Sequence, residues 1–130
     1  MNTDSNETKK YNAEAQERWG HSPEYKEYSQ KTKRYSKEKW ASVTEGLNGI
    51  FEKFAIALKS SLTFDSAEVQ MIVKALQDYI TENYYHCSNE ILCGLGQMYI
   101  LDERFKNNID KHGEGTADFV SKAIELYCIE

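Results

Sequence analysis

Three cysteines, Cys87, Cys93 and Cys128, and three histidines, His21, His86 and His112, are the side chains of this 130-residue sequence best able to bind a metal or act as nucleophile and base. A zinc or iron site needs converging ligands, and no histidine has a second His or Cys at the i, i+3 or i+4 spacing that would place both on one helix face. His86 and Cys87 are adjacent, and neighbours on a helix point about 100° apart, so they do not form a nucleophile held against its base. In a helical haem protein His86 or His112 would be the axial ligand, but a lone His near a helix end more often caps or faces solvent. The sequence has no GxGxxG, P-loop, GxSxG or HExxH pattern. The reading is a binding protein without catalytic residues, metal or cofactor.

Aromatic residues form the remaining constellation. Trp19, Tyr25, Tyr28, Tyr35 and Trp40 lie in the first third, and Tyr84, Tyr85, Met98 and Tyr99 lie in the body. Rings and thioethers offer broad contact area at modest entropy cost, which suits a large, flat, partly apolar ligand. The same residues could simply glue an arm to a body, and spacing alone leaves both readings open.

The elements that must position them differ in composition. Residues 1–42 contain no Leu, Ile, Val or Phe, whereas 26 such residues follow from Val43 onward, so the first third cannot build a core of its own. Charge divides the same way: residues 26–39 carry +4 and residues 40–130 carry −7 of a net −5. An acidic body disfavours direct nucleic-acid binding. The basic run Lys31, Lys33, Arg34, Lys37 and Lys39 is interleaved with Tyr28, Tyr35 and Trp40 and reads as a solvated helix face rather than a base-stacking platform. Three cysteines with no CxxC pair, one left over if two were joined, suit a reducing compartment, so the protein is read as cytoplasmic, and no apolar run approaches the length needed to span a bilayer.

The pattern predicts a single all-α domain of about seven helices. Residues 1–9 read as a flexible tail, 10–40 as aromatic lid helices and 41–130 as the helical body. A first helix is expected over about 10–19, ending at Gly20, and a second from a Ser22 cap and Pro23 to about Tyr35. Ser36 starts a long third helix through Leu62, where Gly46 and Gly49 mark a bend or close approach. Asp65 and Glu68 form a capping-box pattern for a fourth helix to about Tyr84. Ser88, Asp102 and Thr116 are the expected caps of the fifth, sixth and seventh. No segment alternates as a strand would.

Two stretches, ERWGHSPEYKEYSQKTKRYSKEKW (17–40) and YYHCSNEILCGLGQMYILDERFKNNID (84–110), resemble the TipA-type antibiotic-recognition domain (TipAS), the effector-binding half of certain MerR-family transcription activators. The resemblance implies a globin-like helical fold without haem that binds thiopeptides or other bulky antibiotics in a cleft closed by N-terminal helices. It implies a lid of Trp19, Tyr25, Tyr28, Tyr35 and Trp40 over a floor of Tyr84, Tyr85, Cys87, Glu90, Gly94, Met98 and Tyr99. A segment without aliphatic residues is one whose order a ligand could tip. In the founding member a second cysteine of the corresponding helix can capture the drug covalently. Gly94 occupies that place here, leaving Cys93, one residue early, as the candidate for covalent capture, and His86 stands where an Asp is usual. No DNA-binding half is expected within the chain, so a fused or separate DNA-binding domain, or a stand-alone drug-sequestering role, is implied. The alternative function is a protein-interaction or regulatory module whose basic-aromatic arm holds a macromolecular partner.

Overall fold

A computed structural model of the chain describes residues 23–129; the expected tail, the first helix with Trp19 and the Ser22 cap lie outside the described residues. Six helices follow in order: α1 (Pro23–Thr32), α2 (Lys37–Lys59), α3 (Ala67–Asn83), α4 (Asn89–Leu101), α5 (Glu103–Asp110) and α6 (Thr116–Ile129), with no strand among the described residues.

Helix α6 is the hub. It packs against α2, α3, α4 and α5, and most closely against α4. Its Ala117, Phe119, Val120, Ala123 and Ile124 are all buried, as a helix surrounded by others requires. The closeness of α4 to α6 has a local cause at Gly96, where an added Cβ would come to 3.0 Å from Ile124 Cγ2. Val69, Val73, Leu76 and Ile80 project from one face of α3 into the core, as the 3.6-residue spacing predicts, to join Phe51 and Phe54 of α2.

Ser36, Ser88 and Asp102 cap α2, α4 and α5 as expected, their side chains accepting from the N–H groups of Lys39, Ile91 and Arg104. Other boundaries differ from expectation. Helix α1 stops at Thr32 rather than Tyr35: the Thr32 hydroxyl bonds back to Tyr28 O, and Tyr35 N–H closes a turn onto Thr32 O. Helix α2 stops at Lys59 rather than Leu62. There Ser61 adopts φ 65°, Ser61 N–H reaches Leu58 O and Leu62 N–H reaches Ala57 O, a Schellman closure with serine where glycine is usual.

The cap of α3 is Ser66, not Asp65. A turn from Thr63 brings the Ser66 hydroxyl to Val69 N–H, leaving Glu68 in the first turn. Thr116 is the first residue of α6 rather than its cap. Its hydroxyl donates back to Gly113 O, while the Asp110 carboxylate, seven residues upstream, accepts from Ala117 N–H at 2.8 Å.

Gly46 and Gly49 have different surroundings. Gly46 makes room for Tyr79, whose hydroxyl donates to Val43 O at 2.6 Å across α2 and α3, and a Cβ there would collide with that ring. Gly49 faces open space.

Candidate ligand-binding site

Helix α1 has no aliphatic residue to bury and reaches the body through side-chain tips rather than by close backbone approach. Its anchorage falls on the C-terminal turn of α3, where the last carbonyls lack intrahelical partners and the helix dipole attracts a cation. Lys31 Nζ donates to Thr81 O at 2.8 Å, and the Tyr35 hydroxyl donates to Asn83 O at 2.6 Å. Just beyond, Glu27 accepts from His86 N–H at 2.8 Å while lying 3.6 Å from Lys31 on its own helix. Side chains of Glu27, Lys31 and Tyr35 thus complete the end of α3 and the turn that follows it.

Above this latch the rings stack. Tyr28 lies over Tyr84 with centroids 6.4 Å apart and planes at 18°, and Trp40 contacts Tyr28 at 6.5 Å, Tyr84 at 6.4 Å and Tyr35 edge-on at 5.2 Å. Tyr25 extends the group through Tyr28 at 6.0 Å. Burial, with a smaller contribution from Tyr25, raises the Tyr28 hydroxyl to about 12, and burial raises Tyr84 further. Both hydroxyls stay neutral, so the joint presents broad aromatic surface without ionised groups of its own. A shallow depression of about 510 Å³ opens beside it, lined by Tyr25, Tyr28, Ser29, Gln30, Thr32 and Lys33.

The remaining floor residues separate by depth. Tyr99 is buried in the core, edge-on to Phe51 at 5.6 Å and beside Phe105. Cys87 is likewise buried, its thiol raised to about 11 by desolvation. Its N–H donates to the Thr81 hydroxyl, and its carbonyl accepts from Gln77, which also holds Asn89 and accepts from the Tyr127 hydroxyl. Tyr85 and Met98 are half-buried, while Glu90 and Gly94 lie on the exposed side of α4 at i, i+4, and a Cβ at Gly94 would meet nothing. Cys93 is a half-buried free cysteine of α4.

Of the residues singled out from sequence, Tyr25, Tyr28, Tyr35, Trp40 and Tyr84 come together at one joint; Tyr99 and Cys87 lie beneath the surface. Sequence reasoning missed Lys31, Glu27, Thr81 and Asn83 as a latch. Lys31 was counted in a solvated basic run, and only Lys33, Arg34, Lys37 and Lys39 of that run are exposed, Lys39 lying 5.4 Å from the Tyr35 ring centroid. The His112 ring pairs with Glu52 at 2.7 Å, and His86 is exposed. Among the described residues no cluster of three or more His, Cys, Asp or Glu could hold a metal ion, and no helix is long and apolar enough to cross a membrane.

A helical body with an aromatic helix latched across the end of one of its helices is an architecture suited to ligand recognition. Residues 11–127 match the TipAS antibiotic-recognition domain, and the chain belongs to that family. It is 37% identical over 102 residues to the HTH-type transcriptional activator mta of Bacillus subtilis, covering 78% of this chain and 39% of that protein. It is 32% identical over 114 residues to the HTH-type transcriptional activator TipA of Streptomyces coelicolor, covering 88% and 45% respectively. The chain therefore spans less than half the length of these relatives. Among solved structures, TipAS of Streptomyces lividans in complex with nosiheptide, from a thiopeptide antibiotic multidrug resistance system, matches with a TM-score of 0.83 and 30% identity over 93% of this chain and 85% of that one.

Proposed function

We propose that this chain recognises bulky, partly apolar antibiotics of the thiopeptide kind, held without a covalent bond between α1 and the body, and catalyses no reaction. The observation that carries the reading is the stack of Tyr28, Trp40 and Tyr84 at the lid–body joint. Membership in the antibiotic-recognition family and the nosiheptide complex of the S. lividans relative support it. A flat heteroaromatic ligand can exchange ring–ring contacts within the protein for ring–ligand contacts of the same kind, so insertion costs the joint little aromatic packing.

The contact residues are then Tyr25, Tyr28, Tyr35 and Trp40 of the lid, with Trp19 as a further lid residue, and Tyr84, Tyr85, Glu90, Gly94 and Met98 of the floor. Cys87 and Tyr99 support that floor from beneath. In this reading residues 10–40 act as the lid and residues 41–130 as the body. Because the relatives are HTH-type transcriptional activators, the chain serves in the cytoplasm as the effector-sensing part of such a regulator or as a drug-sequestering protein. Contacts with DNA fall to a fused or separate domain.

Titration with a thiopeptide and with unrelated bulky antibiotics, followed by tryptophan fluorescence and helical circular dichroism, tests the reading. Saturable change in Trp40 emission with the heteroaromatic compounds is expected. If neither signal moves with any compound, the reading fails.

A further inference from the structure

Cys93 and Cys128 come together because of the helix pair that carries them. Helices α4 and α6 run antiparallel: Gly96 meets Ile124, and moving back along α4 toward its start moves forward along α6 toward its end. The missing side chain at Gly96 lets the axes close. One turn away the Cys128 thiol donates to Asn89 O at 3.3 Å, and Cys93 follows Asn89 by four residues on the same face of α4. Cys128 therefore sits against the surface that also presents Cys93, each about one helical turn from the Gly96–Ile124 contact. Both are free and half-buried, whereas Cys87 is fully buried at the α3–α4 turn.

We propose that Cys93 and Cys128 form a redox-active dithiol that a low-molecular-weight disulfide converts into a disulfide bond stapling α4 to α6. The Cys93 thiolate attacks one sulfur of the small disulfide, forming a mixed disulfide and releasing one small thiolate. Cys128 then loses its proton to solvent and attacks the Cys93 sulfur, expelling the second small thiolate. The two protein thiols are oxidised by two electrons, the small disulfide is reduced to two thiols, and atoms balance. Burial first, and then the hydrogen bond and charge of Cys93, raise the Cys128 thiol to about 12, which keeps it protonated while Cys93 is free. The staple closes a loop that contains α5 and pins α4, the helix of Glu90, Gly94 and Met98, to the hub of the fold.

The test incubates the full folded chain in a buffer of reduced and oxidised glutathione, then applies intact-mass measurement and non-reducing peptide mapping. The expected result is loss of two hydrogens per chain, a Cys93–Cys128 linked peptide and an unmodified Cys87. In Cys128→Ser the expected product is at most a glutathione adduct on Cys93, with no internal bond. Two results would overturn the proposal: folded wild-type chain keeping both thiols free under a poise that oxidises the same chain in denaturant, or a linkage that uses Cys87. The wild-type arm requires no substituted chain to fold.

Discussion

The body and the lid are built from different interactions. The body buries Phe54, Val69, Val73, Leu76, Leu92, Val120 and Ile124 completely, and each such side chain contributes on the order of 1.5–3 kcal/mol through removal from water. The lid helix α1 contributes no aliphatic side chain. It is held by ring contacts of about 0.5–1.5 kcal/mol each, by hydrogen bonds that Lys31 and, just beyond α1, Tyr35 donate to the body, and by one that Glu27 accepts from His86 N–H. These attachments are few and individually small beside the backbone entropy lost in ordering a segment, so docking of α1 is marginal. Aliphatic burial makes the body cooperative, and on the proposed division α1 is expected to open locally while the body remains folded.

The largest effect expected is on the body. Phe54→Ala should cost about 3–5 kcal/mol in urea unfolding, because the side chain is fully enclosed and leaves a cavity. Lid and body should then lose structure in one transition, since the lid has nothing else to dock on. A loss below about 1 kcal/mol would contradict the assignment of Phe54 to the core.

Tyr84→Ala should separate the two regions. It removes the ring that meets both Tyr28 and Trp40, worth about 1–3 kcal/mol together. Amide exchange in α1 should accelerate by roughly ten- to a hundredfold while α4 and α6 keep their protection. Equal acceleration in α1 and α6 would mean that the lid is no separate unit.

A pH titration sharpens the comparison without substitution. The folded pKa of Tyr28, about 12, lies above its ordinary value of 10.0 because burial penalises the phenolate. Its contribution to docking is therefore fully present below pH 10 and is lost as pH rises toward 12. Tyr84, also raised by burial, acts in the same direction. Tyrosinate absorbance should show a late-titrating component, and Tyr28→Phe should reduce it. If all tyrosines titrate together near the ordinary value while helicity persists, the ring stack is not closed in solution.

Tyr35→Phe deletes only the hydroxyl bonded to Asn83 O and should loosen the lid by about 0.5–1.5 kcal/mol with little change in the urea midpoint of the body. Ser61→Gly should do the reverse. It relieves a left-handed residue in the Schellman closure of α2 and should stabilise the body by up to about 1 kcal/mol in the same urea assay, leaving α1 exchange unchanged. A destabilised body would show that the serine side chain compensates for its backbone.

Much of this division was legible because its causes are local or compositional. A segment without Leu, Ile, Val or Phe cannot hold a core wherever it lies, and the apolar spacing on α3 selects the face that is buried. Ser36, Ser88 and Asp102 act on N–H groups two or three residues away, so caps of this kind can be read from neighbours. The aromatic membership of the joint was legible too, since Tyr28, Tyr35, Trp40 and Tyr84 are the amphipathic rings nearest the break in composition or the end of α3.

The latch was not legible, because Lys31 completes carbonyls of a helix 50 residues away and no local pattern identifies the carbonyl a long side chain will meet. The same limit applies to Asp110, which accepts from Ala117 across a turn, and to Cys93 and Cys128, which are brought to adjoining turns only because two helices pack antiparallel.

The glycines mark the same boundary. Sequence alone determined that Gly46, Gly49, Gly94 and Gly96 interrupt otherwise helical segments with small residues, and that residues 1–42 offer aromatic but no Leu, Ile, Val or Phe side chains. Only the tertiary structure decided that Gly46 admits Tyr79 and Gly96 admits Ile124 while Gly49 and Gly94 face open space. Periodicity specifies which residues share a face of a helix, but which neighbour fills the space beside that face is settled by packing between helices distant in sequence.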